Sequence, residues 1–334
     1  MRAEHNKDMR KDTGQRALFV IVLIVTVFTL VSMGYLGVGA AIEGRSAFSK
    51  LVASVVDVVM SGDTVVSEQD TLKKIEKRRK INENWRVPAI YKSIYNFQTE
   101  EYDNFEYCLF QNSEAKRTIV YFHGGSFMWQ PLFVHYDFCR ILAREFDAEV
   151  IMPIYPKAPT YGYADVMDWL YGLFTVKNIK ADVFVGDSAG ASIAISFAQV
   201  LADRAFFSPQ DIIALSPCID LSLSNPLLEE SKHNDIMLNL DDLRRKVAEY
   251  VKDGDMTDPY VNPMYADYSV LGRLTVFTAE KEIFLPDVEK LDSMLDEQGI
   301  EHNLFVYRSQ FHSFEIFPMP ERRMVLQDIR EVLV

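Results

Sequence analysis

The chain has 334 residues, of which 49% are hydrophobic and 25% charged, and carries a formal charge of −13 at neutral pH. No basic face is available to neutralise phosphates, which excludes nucleic acid as a partner. Cys108, Cys139 and Cys218 lie far apart, with no CxxC or Cys/His cluster, so they read as small buried apolar residues and imply no metal site.

The first element is "ALFVIVLIVTVFTLVSMGYLGVGAAI", residues 17–42, a run without a single charge. A helix crosses the hydrocarbon core with about 20 apolar residues, so this segment is long enough to span with some tilt. The tail before it, residues 1–16, carries Arg2, Lys7, Arg10, Lys11 and Arg16. Behind it, up to residue 62, stand only Arg45 and Lys50. That bias predicts a single-pass signal anchor in the cell membrane, with the tail in the cytoplasm and the rest outside. Cleavage at the small residues of "GVGAA", giving a secreted product, is the alternative, although the run exceeds the usual signal h-region of roughly 7–15 residues.

Residues 43–103 lack strong strand signals and read as helical or irregular. In "FSKLVASVVDVVM", residues Phe48, Leu51, Val52, Val55, Val56 and Val59 recur at helical spacing, which predicts a helix packing that face on the body of the protein. Lying on a membrane surface is the alternative. "TLKKIEKRRK", residues 71–80, reads as a basic helix, a solvated face with attraction to lipid headgroups as its other use.

From residue 104 the chain alternates. "FEYCLF" and "TIVYF" read as strands, "HYDFCRILAREF" as a helix, "EVIMPIY" as a strand and "ADVMDWLYGLFTV" as a helix. "DVFVG" is a strand, "ASIAISFAQVLA" a helix and "DIIALS" a strand. After an interruption at about 219–270 come the strand "RLTVFTA", the helix "PDVEKLDSMLDEQ", the strand "NLFVY" and a C-terminal helix. Strands alternating with such helices predict an α/β fold with a mostly parallel sheet covered on both faces. Functional residues in such sheets gather at the carboxyl ends of the strands.

Three stretches fall there. Gly186-Asp187-Ser188-Ala189-Gly190 is a G-x-S-x-G pentapeptide between a strand and a helix, the setting of a nucleophile elbow. His123-Gly124-Gly125-Ser126 follows another strand, and its N–H groups can face the same point as that of Ala189, as an oxyanion hole requires. A serine hydroxyl needs a base. Of His5, His123, His135, His233, His302 and His312, only His312 lies in a loop after the last strand and follows Ser188 in the chain. The base needs an orienting carboxylate, and the turn after "RLTVFTA" offers Glu280, Glu282 and Asp287, among which spacing does not choose.

With "HGG", "GDSAG", "SPCIDLSLSNP", "DPYVNPMYAD", "EIFLPD" and the late "FH", the chain from about residue 85 onward resembles the hormone-sensitive-lipase-like branch of the α/β-hydrolases, its bacterial esterases above all. The resemblance implies Ser188 as nucleophile, His312 as base and Glu282 as acid, with Asp287 the second acid of the motif. It implies an oxyanion hole from Gly124, Gly125 and Ala189, and no cofactor or metal. Ser126 replaces the third glycine of the family's HGGG, glutamate replaces its usual aspartate, and "IYPKAPTYGY" departs from its "YRLAPE". The hydrolase domain would span 104–334, with a cap from the N-terminal helices and an insertion at about 219–260. The activity so implied is hydrolysis of short- to medium-chain carboxylic esters through an acyl-enzyme. An amidase or deacetylase on the same residues, or a non-catalytic membrane-anchored binding protein, are the alternatives.

Overall fold

The computed structural model describes residues 34, 37–61 and 68–333. The tail at 1–16 and most of the segment at 17–42 lie outside the described residues. Among the described residues no helix is long and apolar enough to cross a membrane.

Among the described residues the helical stretch 37–43 comes first, followed by α1 (Ala47–Ser61), α2 (Glu68–Glu83) and α3 (Ala89–Tyr95). The sheet follows, with β1 (Gln98–Tyr102), β2 (Phe105–Phe110), β3 (Arg117–Phe122), β4 (Ala148–Pro153), β5 (Val183–Asp187), β6 (Asp211–Leu215), β7 (Arg273–Ala279) and β8 (His302–Tyr307). Their spatial order is β1-β2-β4-β3-β5-β6-β7-β8. The β1–β2 and β2–β4 pairs are antiparallel and every other pair is parallel.

The inner parallel strands are mostly apolar because both faces are covered and successive side chains point to opposite sides, whereas β8, at the edge, is only partly buried. Val120, Phe122, Phe184, Ile212, Ala214 and Val276 join one core, under α5 (Tyr163–Lys177), α6 (Ala189–Asp203) and α9 (Leu285–Gln298). Ile119, Tyr121, Val185, Ile213, Leu215 and Phe277 join the other, under α4 (Phe133–Glu145) and α10 (Glu321–Val332). The insertion contributes α7 (Leu228–Ser231) and α8 (Leu240–Val251), and Leu240, Leu243, Val247 and Tyr250 bury into the first core. Cys108, Cys139 and Cys218 are buried and free. Because β4 and β6 flank the central β3–β5 pair, the chain leaves that pair in opposite directions, and a crevice opens at its carboxyl ends.

Two expectations are corrected. β1 lies inside the stretch read as helical or irregular. "QTEEY" has no apolar alternation because it is a mostly exposed edge strand. It forms through its hairpin with β2, whose two-residue turn, Asp103-Asn104, takes positive φ at both positions (44° and 68°). The second correction concerns α1. Its packed side is Ser49, Ala53, Val52 and Val56, whereas Phe48, Leu51 and Val55 are exposed. Hydrogen bonds set that rotation: Ser49 Oγ donates to Gln310 Oε1 at 3.0 Å, and the Ser46 N–H to Glu321 Oε1 at 2.7 Å.

Candidate active site

Ser188 follows β5 directly and opens α6 with φ 51° and ψ −124°, a conformation costly for any residue with a Cβ. The turn is tight because the start of α6 rests on the end of β3. A Cβ on Gly190 would stand 2.0 Å from the carbonyl oxygen of Phe122, and one on Gly186 would stand 2.5 Å from that of Gly190. Both glycines of the pentapeptide are therefore demanded by contact. The Ser188 N–H is tied to the Leu215 carbonyl at 2.8 Å, so the strained residue is held from β6 as well.

His312, in the loop after β8, places Nε2 2.9 Å from Ser188 Oγ and Nδ1 2.9 Å from Glu282 Oε2. Glu282 stands in the turn after β7, and its other oxygen accepts the Thr278 hydroxyl and the Ala279 N–H (3.1 Å). All three side chains are buried. Burial pushes the His312 pKa down, but the hydrogen bond and charge of Glu282, with the charges of Asp235 and Asp187, outweigh it and leave the pKa raised. The His312 loop is pinned to the end of β6, where Ser216 Oγ accepts the Ser313 N–H (3.0 Å) and donates to the buried Glu315 carboxyl (3.1 Å).

Asp287 lies elsewhere. At the start of α9 its Oδ1 accepts the Asn225 amide at 2.7 Å, and its buried Oδ2 has no partner. Burial, aided by Asp220, pushes its pKa up to about 6. The folded state thus holds the proton more tightly than the unfolded chain, and stability is lost as pH rises from about 4 to about 6. Asp287→Asn should accordingly stabilise the fold by about 1–2 kcal/mol at pH 8 and by little at pH 4. Thermal melts of the two proteins at both pH values check this; an equal Tm difference at the two would refute it.

Of the backbone donors expected to face Ser188, Gly124 is corrected. Its N–H donates to Asp187 Oδ1 at 2.8 Å and is engaged within the protein. Asp187 also accepts the Tyr121 hydroxyl and stands 3.5 Å from His135 Nε2. Burial raises its pKa, but His135 and these hydrogen bonds more than offset that, so it is held ionised below its ordinary value. The N–H groups of Gly125, Ser126 and Ala189 make no such bond, and Ala189 sits at the positive end of α6. Gly125, Ser126 and Phe127 take consecutive positive φ values of 123°, 49° and 61°. Neighbours hold that loop: the Tyr155 hydroxyl donates to the His123 carbonyl (2.6 Å), the Asn82 amide to that of Met128 (3.0 Å), and Tyr250 stacks on Phe127 with ring centroids 4.0 Å apart.

Sequence reasoning missed three supporting residues. Asp187 was inside the quoted pentapeptide, and its position facing the glycine loop was the available signal. Asp235 and Tyr250 belong to the insertion, which touches the site twice: Asp235 Oδ2 accepts the Ile283 N–H at 2.9 Å beside Glu282, and Tyr250 covers the glycine loop. Neither had a sequence signal, since both act across the fold. Two further histidines stand apart: His302 pairs with Asp292 at 2.9 Å, and His233 is exposed.

Residues 119–316 match the family model described as the alpha/beta hydrolase fold. An esterase of Acinetobacter venetianus is 28% identical over 227 residues, covering 66% of this chain and 75% of its own length. An acetyl-hydrolase of Streptomyces hygroscopicus is 25% identical, over 63% of this chain and 73% of its own. Among solved structures, a Staphylococcus aureus protein superposes with a TM-score of 0.75 at 22% identity, covering 81% of this chain and 94% of its own. A hormone-sensitive lipase from a metagenome library does so with 0.67 at 19%, covering 84% and 96%. The chain belongs to the α/β-hydrolase family.

Proposed function

We propose that this enzyme is a serine carboxylesterase acting on short- to medium-chain esters, held at the membrane by residues 17–42 as a signal anchor. The observation that carries the reading is the hydrogen-bonded chain Ser188–His312–Glu282, with 2.9 Å at both of its links. Glu282 holds the proton on His312 Nδ1, which leaves Nε2 free to accept the proton of Ser188 Oγ as that oxygen attacks the ester carbonyl. The oxyanion of the tetrahedral intermediate is met by the N–H groups of Gly125 and Ala189, with that of Ser126 beside them; each donor of this kind is worth about 3 kcal/mol of the barrier. Collapse breaks the ester C–O bond, and His312 returns its proton to the leaving alcohol. Water then attacks the acyl-Ser188 by the same route and frees the acid. No step needs a cofactor.

In this reading residues 1–16 stay cytoplasmic, 43–103 supply cap helices, and 104–334 form the catalytic domain with its cap insertion. The test is hydrolysis of p-nitrophenyl esters from acetate to decanoate by the full chain in detergent micelles. The expected result is turnover that is highest at the short to middle lengths, with a first burst of p-nitrophenol equal to the enzyme present. Absence of turnover on every ester would sink the proposal, and turnover of the matching anilides alone would replace the esterase by an amidase.

A further inference from the structure

The helix α1 is seated at the carboxyl ends of the strands. Its Ser49 is bonded to Gln310 at 3.0 Å, in the loop that carries His312, and Glu43 just ahead of it pairs at 3.5 Å with Lys281, the neighbour of Glu282. The helix α2 reaches the same end from the other side. Its Asn82 holds the Met128 carbonyl at 3.0 Å, and the Arg78 guanidinium lies 3.2 Å from the centre of the Trp129 ring, beyond the glycine loop. Both helices therefore cover the end of the sheet at which Ser188 stands.

The outward side of α1 is largely apolar, with Ser54 and Asp57 its exposed polar residues. Phe48 is 48% exposed, Leu51 42% and Val55 54%, and the helical residues 37–43 just before it present Val38 (64%) and Ile42 (78%). The packed side of the same helix is already filled by Ser49, Val52, Ala53 and Val56. A soluble helix places its polar side outward, whereas this one is largely apolar on the side that packing leaves open. Two features name what covers it. The uncharged segment 17–42 ends on Ile42, four residues before α1, so the face continues from the end of that segment. In a chain of net charge −13, residues 73–80 of α2 carry six basic side chains and one acid, the complement of an anionic surface.

We infer that the outward face of α1, with the basic run of α2 at the same end of the sheet, lies on an anionic lipid bilayer, its apolar side chains entering the boundary between headgroups and acyl chains. This rests on the anchor reading above. Docked in this way, the end of the sheet that bears Ser188 is turned to the bilayer, and esters partitioned into lipid become the accessible substrates.

The test uses the full chain reconstituted in vesicles of phosphatidylcholine and phosphatidylglycerol. Cys108, Cys139 and Cys218 are buried, so an environment-sensitive fluorophore is directed by one introduced thiol, in the variant Leu51→Cys or in the control Lys116→Cys. Lys116 is exposed just before β3, at the opposite end of the sheet. Retained p-nitrophenyl butyrate turnover shows that each labelled protein is folded. The expected result is a blue-shifted emission at position 51, quenched by doxyl-labelled lipid, with neither effect at position 116. Aqueous emission at position 51 would overturn the inference. A blue shift there without lipid quenching would overturn it too, since it would mean that protein, a second copy or the chain's own first residues, covers the face. Alkaline carbonate extraction of the same vesicles separates the two readings. Release of the chain defeats the anchor alone, since alkaline carbonate also strips a surface-docked protein and the label at position 51 still decides the docking, whereas a retained chain with a water-exposed label defeats the docking alone.

Discussion

Ser188→Ala is expected to lower ester turnover by about 10⁴- to 10⁶-fold while leaving the fold and its melting temperature nearly unchanged. The size of the loss follows from the geometry: His312 Nε2, 2.9 Å from Ser188 Oγ, has no other hydroxyl to activate. Water admitted to the vacated space would be activated by His312 and the backbone donors alone, which accounts for a small residual rate. The fold survives because alanine retains the backbone bond from residue 188 to the Leu215 carbonyl and is no larger than serine. Its Cβ bears the same unfavourable φ, so no strain is added. The measurement is p-nitrophenyl butyrate hydrolysis beside a thermal melt, after an active-site titration showing that the variant no longer forms an acyl-enzyme. A variant that still turns over at a tenth of the parent rate would transfer the nucleophile elsewhere.

The second large effect is expected at Glu282. In Glu282→Gln the Thr278 hydroxyl and the Ala279 N–H still require an acceptor, so the amide oxygen faces them and the amide nitrogen faces His312 Nδ1. That nitrogen donates where the carboxylate accepted, which moves the imidazole proton to Nε2, the wrong atom for taking the proton of Ser188. A corresponding change in a serine protease costs about 10⁴ in kcat, and a loss of about 10³- to 10⁴-fold is expected here. The pH profile separates this account from simple loss of packing. Activity needs neutral His312, whose pKa stands above its ordinary value because of the Glu282 hydrogen bond and charge. Removing that charge lowers the pKa, so the acidic limb of kcat/KM should move to lower pH in Glu282→Gln, and Glu282→Asp should recover part of the rate. An unshifted limb, or a comparable kinetic loss on Asp287→Asn, would refute the assignment.

The alternation of apolar strands with amphipathic helices made the doubly covered parallel sheet legible, because a strand buried on both faces must be apolar at each position and a surface helix at every third or fourth. The strand-turn-helix around Ser188 was legible for the same local reason, since two glycines flank a serine where two backbones must nearly touch. His312 was legible by its place after the last strand. Edge strand β1 was not, because its polar residues take their conformation from the hairpin partner and not from a buried face.

What spacing left open was decided across the fold. Glu282 and Asp287 are both buried acids beside the same turn, and only the packing of the β7 turn against the His312 loop brings one of them within 2.9 Å of the imidazole. Gly124 looked as suitable a donor as Gly125 until Asp187, from the neighbouring strand, was seen to hold its N–H. The rotation of α1 was set by bonds from Ser46 and Ser49 to residues more than two hundred positions away, which turned outward half of the face that periodicity had assigned to the core. Local sequence determined which elements form and which residue types stand at the strand ends. Register, helix rotation and the choice between like side chains depend on contacts between elements distant in the chain, and those exist only once the sheet has brought them together.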